Sequence, residues 1–159
     1  YLFKLLHRLP RWVPFPYLGR GTDEVNIVPV DFVVDAAVQI GLDPSAAKKV
    51  YQLADPKPMR ASEIVDISLS TLERPEAKGA LPIALVDGVM GLEAFEKWAG
   101  VPSEIVEYFT HDAAYDTGNV DKILEGTEIK CPHLSSYMQN LIDYYERNPE
   151  KSFQDGREF

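Results

Sequence analysis

The chain has 159 residues and a formal net charge of −9. This length suits one domain, and the acidic balance excludes nucleic acid as an expected partner because phosphate groups repel such a surface. The single cysteine, Cys131, excludes an intrachain disulfide and indicates a reducing, cytoplasmic location. The apolar runs fall short of the roughly 20 residues that a membrane-spanning helix needs.

The first segment is predicted to be a basic amphipathic helix that Pro10 ends. Residues 10–24 are rich in proline and glycine, which predicts an irregular loop. Because leucines form one face of the helix and aromatic residues follow it, residues 1–17 could contact a membrane surface or cover a hydrophobic substrate channel. Packing of this helix on its own domain is the simpler interpretation and is preferred.

A strand–helix–strand unit follows and defines the predicted fold class, which is α/β. An almost wholly apolar run predicts a buried strand at 25–30, and Asp31 is the expected N-cap of a helix at 32–40 that Gly41 ends. A second strand is predicted at 49–54, with a crossover long enough for a parallel pair. A parallel pair alone has two open edges, so the sheet is predicted to be incomplete and completed by missing sequence or another subunit.

The rest of the chain is predicted to be mostly helical. Apolar periodicity and the positions of proline and glycine place helices at 61–72, 82–98, 103–108, 118–126 and 134–147. Residues 150–159 are predicted to be a flexible tail.

Several motifs in this order resemble the C-terminal part of an extended short-chain dehydrogenase/reductase, a member of the NAD-dependent epimerase/dehydratase superfamily. The main run is Asn26-Ile27-Val28-Pro29-Val30-Asp31-Phe32-Val33, which is similar to the thioester- and fatty-acyl-reductase branch. Weaker matches are Val50 to Pro56, Met59 to Ile64, Tyr115 to Asn119, and Cys131 to Tyr137. The resemblance covers residues 1–149 and implies the substrate-binding, C-terminal part of a Rossmann-like domain.

Members of this family bind NAD or NADP through a Gly-x-x-Gly-x-x-Gly turn and work through a Tyr-x-x-x-Lys pair. Neither motif occurs in this sequence. The resemblance therefore implies NAD or NADP in a complete protein, no tight binding of the cofactor to this chain, and no catalytic residue within it. We expect the chain to be a fragment, inactive alone, that joins a missing N-terminal Rossmann half or another subunit.

Seven residues are candidates for the substrate pocket. Strand ends in parallel sheets face the ligand crevice, so Asn26, Pro29 and Asp31 could border the substrate or nicotinamide pocket. Val28 joins Asn26 and Pro29 as predicted pocket lining. The preceding loop contributes Trp12, Phe15, Tyr17 and Arg20, and Arg20 could bind a phosphate or carboxylate on the substrate. The plainer alternatives are that Asp31 only caps a helix, Pro29 only shapes a strand end, and Arg20 is a solvated loop residue.

Metal and nucleophile chemistry is not predicted. His7, His111 and His133 lack the spacing of metal ligands, and Cys131 is interpreted as structural. The carboxylate pairs Glu93 with Glu96 and Asp112 with Asp116 are interpreted as solvated acids rather than a general-acid pair.

The predicted function is that of the substrate-side part of an NAD(P)-dependent oxidoreductase acting on a carbonyl, alcohol or activated acyl group. The substrate would be a small molecule, acyl or otherwise hydrophobic. Two alternatives stay open: a non-catalytic binding or interaction module on the same scaffold, and part of a sugar-nucleotide epimerase or dehydratase. The epimerase/dehydratase branch usually carries Arg-Asp before the strand, where Glu24-Val25-Asn26 stands here, so this alternative ranks below the reductase.

Overall fold

The computed structural model describes residues 2–82, 84–85, 88, 98 and 113–148. Within them the helices are α1 (Leu2–Arg8), α2 (Val30–Leu42), α3 (Ala61–Thr71), α4 (Gly118–Leu124) and α5 (Met138–Arg147), with 3-10 turns at Pro44–Ala46 and Leu134–Ser136. Two-residue strands occur at β1 (Tyr17–Leu18), β2 (Glu24–Val25), β3 (Met59–Arg60) and β4 (Ala80–Leu81). The predicted α/β class, mostly helical with a short parallel strand pair and an incomplete sheet, is confirmed.

Two predicted helices and the predicted tail lie mainly outside the residues that the structure describes. The helix at 82–98 lies largely outside the described residues, and the helix at 103–108 and the tail at 150–159 lie wholly outside them. In the described part of the chain, no helix is long and apolar enough to cross a membrane.

The larger of the two hydrophobic cores that the described residues form surrounds α3. The apolar side of α3 packs against α5 and against Leu6 of α1, as the spacing of its apolar residues predicts. One polar residue, Ser68, is fully buried here, and its hydroxyl donates to the carbonyl oxygen of Ile64 at 2.6 Å, so its burial leaves no unpaired donor. We call this the α3 core; its buried members are Leu6, Phe15, Ile64, Val65, Leu69, Leu72, Leu134, Met138 and Ile142.

The smaller core joins α2 to α4. Phe32 and Ala36 are four residues apart on α2, and Val120 and Leu124 are four residues apart on α4, so each pair lies on one helix face. These four buried residues are the α2–α4 core. The partly buried residues around it are Val28, Val33, Tyr51, Leu53, Ile123, Ile129 and Cys131.

The strands lie elsewhere than the sequence predicts. β1 pairs in parallel with β4, and β2 pairs antiparallel with β3. The predicted strands at 25–30 and 49–54 are wrong in position, because Val25 is the one strand residue of the first and the second contains none.

Side chains, rather than a neighbouring strand, bond to the backbone of Val50 and Asp55. The Asn119 carboxamide donates to the carbonyl oxygen of Val50 at 2.9 Å, and the Asn26 carboxamide bonds to the backbone of Asp55. These side chains satisfy backbone groups that a neighbouring strand would otherwise pair. Pro29 in addition has no N–H group to donate.

The ends of α2 also differ from the prediction. The helix begins at Val30, so the N-cap position belongs to Pro29, and Asp31 lies inside the first turn, where its carboxylate suits the positive end of the helix dipole. Gly41 does not end α2, because the helix continues through Leu42. The Asp43 carboxylate instead accepts from the N–H of Ser45 at 2.8 Å and caps the following 3-10 turn, and this hydrogen bond lowers the pKa of Asp43.

Arg74, which follows α3 in the chain, caps the end of α1. Its guanidinium donates to the carbonyl oxygens of Leu6, of Leu9 at 3.0 Å, and of Pro10 at 2.7 Å. Leu6 lies in the last turn of α1, and Leu9 and Pro10 follow it, so the cation also suits the negative end of the helix dipole. Burial lowers the pKa of Arg74, with a smaller contribution from Arg11. The interaction fixes the N-terminal helix on the α3 core.

Candidate functional site

The side chain of Asn26 joins the segment predicted as the first strand to Asp55, the residue that directly follows the predicted second strand. Its Nδ2 donates to the carbonyl oxygen of Asp55 at 2.9 Å, and its Oδ1 accepts from the N–H of Asp55 at 2.9 Å. A carboxamide carries one donor and one acceptor side by side, so it can pair with a backbone as a neighbouring strand would. We call this pair of hydrogen bonds the Asn26–Asp55 clamp.

The side chain of Asp55 is buried within the site, with 5% of the residue exposed. Its carboxylate accepts from the N–H of Lys57 at 2.8 Å, a local turn that suits the Asp-Pro sequence here. The clamp holds its backbone, and this turn holds its carboxylate. Asp55 directly follows the strand predicted at 49–54 and is not among the seven predicted pocket residues.

The negative charge of Asp55 acts on two neighbouring groups. Burial, and then the Asp55 charge, raise the pKa of the Cys131 thiol to about 11. Burial is also the largest cause for Tyr137, followed by Cys131 and Asp55, and the pKa of its phenol rises to about 12. The Tyr137 hydroxyl donates to the carbonyl oxygen of Ile27 at 3.3 Å. Both groups are therefore protonated near neutral pH, which favours the structural interpretation of Cys131.

An open groove lies beside the clamp, between the α2–α4 core and the loop that follows α4. Its volume is ≈ 520 Å³. Ala54 and Pro56, on either side of Asp55, form one wall, so the clamp fixes the position of that wall. The groove has an apolar floor and a polar rim. The floor includes Phe32, Val120, Leu124 and Cys131, and the rim includes Asp121, Glu125, Thr127, Glu128 and Lys130.

The seven residues predicted to line a substrate pocket lie in several places. None of them lines the groove. Trp12 is 79% exposed, Phe15 is buried in the α3 core, and Arg20 is exposed. The Tyr17 hydroxyl donates to the Asp66 carboxylate at 2.7 Å, which is the main reason that the pKa of Tyr17 is raised.

The remaining three predicted residues are close to the groove without lining it. Asn26 forms the clamp, Val28 packs against the α2–α4 core, and Pro29 takes the N-cap position of α2. Sequence reasoning missed the loop from Glu125 to Cys131. The signal was weak: Gly126, at φ 79°, marks the turn that ends α4 and begins this loop.

The glycine turn nearest to a phosphate-binding sequence, Gly19-Arg20-Gly21, has a packing role. Gly21 has a φ of 64°, and a Cβ atom there would lie 2.9 Å from the Cβ of Ser62 at the start of α3. Its carbonyl oxygen accepts from the N–H of Ser62 at 3.0 Å. This glycine therefore lets the backbone of the turn lie close to the start of α3.

The histidines that the structure describes bond locally. His7 Nδ1 lies 2.8 Å from the carbonyl oxygen of Phe3, and His133 Nδ1 lies 2.8 Å from the hydroxyl of Ser135. Across residues 2–82 and 113–148, no group of three His, Cys, Asp or Glu residues is placed to hold a metal ion. His111, Glu93, Glu96 and Asp112 lie outside the described residues.

Comparison with known proteins gives a likeness in structure alone. No family model matches the chain, and no curated protein matches its sequence. The structure is similar to the terminal R domain from the myxalamid PKS-NRPS biosynthetic pathway, with a TM-score of 0.60 and 16% sequence identity. The likeness covers 92% of this chain and 36% of that chain. The protein therefore has the fold of part of that R domain and spans about a third of its length.

Proposed function

We propose that the chain is the substrate-side part of an NAD(P)-dependent reductase of the extended short-chain type. The observation that carries the proposal is the fold likeness to the R domain, which extends over 92% of the chain. The run from Asn26 to Val33 supports it from the sequence, because that run resembles the thioester- and fatty-acyl-reductase branch. In the complete reductase a second part would bind NAD or NADP and supply the proton-transfer groups.

The groove supports a hydrophobic or acyl substrate. Its volume of ≈ 520 Å³ falls in the range of about 300–1,000 Å³ that is usual for small-molecule sites. Phe32, Val120 and Leu124 give it an apolar floor that would favour a hydrocarbon chain over a sugar. The reacting carbon would be a carbonyl, alcohol or activated acyl group placed next to the nicotinamide, which would supply the hydride.

The first experiment tests where the cofactor binds. NADPH fluorescence is titrated against this chain alone and against the complete reductase, meaning these residues together with the cofactor-binding part. We expect saturable binding to the complete reductase and none to the chain. Nanomolar binding by the chain alone, or no NADPH oxidation by the complete reductase with any acyl thioester or aldehyde, would overturn the proposal.

The second experiment tests the groove. Ile129→Trp places a large side chain in the lining of the groove. The control, Leu141→Trp, makes the same kind of change at an exposed position of α5. For a long-chain acyl substrate we expect Ile129→Trp to raise KM with little change in kcat. The reason is that the groove would contact the acyl chain equally in the ground state and the transition state, so blocking it weakens both to the same extent. Equal KM values for the two variants would exclude the groove as the acyl site. Acyl binding without any cofactor oxidation would favour the non-catalytic binding module.

A further inference from the structure

Helix α2 carries a row of exposed apolar side chains. Val30, Val34, Val38 and Leu42 repeat every four residues and are exposed by 70%, 52%, 56% and 77%. Residues at this spacing lie on one side of a helix. We call this row the α2 stripe.

The opposite side of α2 is already occupied. Phe32 and Ala36 are buried in the α2–α4 core. A helix with apolar side chains on two opposite sides is typically covered by other parts of a protein on both sides. Adjacent exposed apolar side chains of this size mark an interaction surface. The stripe therefore requires a partner surface that is itself apolar.

The charges beside the stripe narrow the choice of partner. Asp31 and Asp35 are exposed on α2, next to the stripe, so a complementary surface would carry lysine or arginine there. A second copy of this chain is a poor candidate, because it would bring one net charge of −9 against another.

We infer that the α2 stripe is the face on which the cofactor-binding part of the reductase docks, through an apolar surface edged by basic side chains. This inference rests on the proposed function. The likeness to the R domain covers 36% of that chain, so most of that chain's length has no counterpart here and is long enough to supply the covering surface.

The test is thiol footprinting in a Cys131→Ser background. Val38→Cys reports on the stripe, and Tyr144→Cys is its control on α5, since Val38 and Tyr144 are 56% and 59% exposed. In the chain alone we expect a maleimide to label both positions at similar rates. In the complete reductase, labelling at position 38 should slow by about tenfold or more while labelling at position 144 stays unchanged.

Each other outcome has a distinct meaning. Unchanged labelling at position 38 in the complete reductase, or equal slowing at both positions, would overturn the assignment of the docking face to α2. In the chain alone, labelling at position 38 could slow as the protein concentration rises. That result would identify a second copy as the occupant of the α2 stripe and would also overturn the assignment. Slowing at position 38 in a complete protein that neither binds nor oxidises NADPH would leave the docking face in place and remove the proposed function.

Discussion

Replacement of Asn26 by alanine tests whether the Asn26–Asp55 clamp holds the site together. The variant loses both hydrogen bonds and leaves the N–H and carbonyl oxygen of Asp55 without these partners in a part-buried place. A hydrogen bond contributes about 0.5–1.5 kcal/mol, and an unsatisfied buried group adds its desolvation cost, so we expect a loss of about 2–3 kcal/mol in the free energy of unfolding. Urea denaturation followed by far-UV circular dichroism measures this loss.

Asn26→Asp makes the same test sensitive to pH. One oxygen of the new carboxylate would take the place of the Nδ2 donor and face the carbonyl oxygen of Asp55, so two acceptors would repel each other. The carboxylate would also lie close to the negative charge of the Asp55 side chain. At pH 7 we expect a larger loss of stability than in Asn26→Ala. The introduced carboxyl group should have a folded-state pKa above its unfolded value of about 3.9, because protonation restores a donor.

The sign of the pH effect follows from that raised pKa. Relative to wild type at each pH, Asn26→Asp should be most stable below about pH 3.9 and lose stability as the pH rises through the folded-state pKa. Asn140→Ala, on an exposed site of α5, is the control and should change the free energy of unfolding by less than about 0.5 kcal/mol. An Asn26→Ala variant as stable as Asn140→Ala, or an Asn26→Asp variant with no dependence on pH, would refute the structural role of the clamp.

Arg74→Ala should lower the free energy of unfolding by about 2 kcal/mol, because the carbonyls of Leu6, Leu9 and Pro10, at and just after the end of α1, lose a charged donor. Urea denaturation should show Arg74→Lys to be intermediate. Tyr137→Phe should remove one phenol ionisation, near pH 12, from an absorbance titration at alkaline pH. In the wild type, the stability that this protonated phenol contributes should be fully present below about pH 10 and should fall as the pH rises towards 12. Cys131 should react slowly with iodoacetamide at pH 8 and faster towards pH 11, and Asp55→Asn should give a modest acceleration because burial is the larger cause of the raised thiol pKa. A thiol as reactive in the folded chain as in urea would contradict the last expectation.

In the described part of the chain, local patterns predicted helices α1 to α5 with errors of up to four residues at their ends, but they did not predict the contacts between distant segments. The apolar spacing of α3 places Ile64 and Leu69 in the core, and the structure confirms it. The start of α2 was missed by two residues because Pro29, rather than Asp31, occupies the N-cap position.

The clamp could not be predicted from pattern, because it joins residues 29 positions apart. An apolar run such as 25–30 indicates burial, but it does not say whether a strand or a side chain will bond to its backbone. The groove depends in the same way on distant segments, since Pro56 meets the loop that ends at Cys131. The likeness in order of elements was recognisable from the sequence, whereas the residues that build the candidate site, apart from Asn26, were not.

The clamp lies where the two hydrophobic cores meet, and this position couples fold stability to the groove. Ile27 packs against the α3 core, whereas the next residue, Val28, packs against the α2–α4 core. In the segment that contains Asp55, the order is reversed. Leu53, which precedes Asp55, contacts the α2–α4 core, and Met59, which follows it, contacts the α3 core. Separation of Asn26 from Asp55 would therefore release the wall formed by Ala54 and Pro56 and loosen the contact between the cores in a single step. A ligand that occupies the groove should in turn stabilise the clamp, since binding to the folded state alone raises its stability.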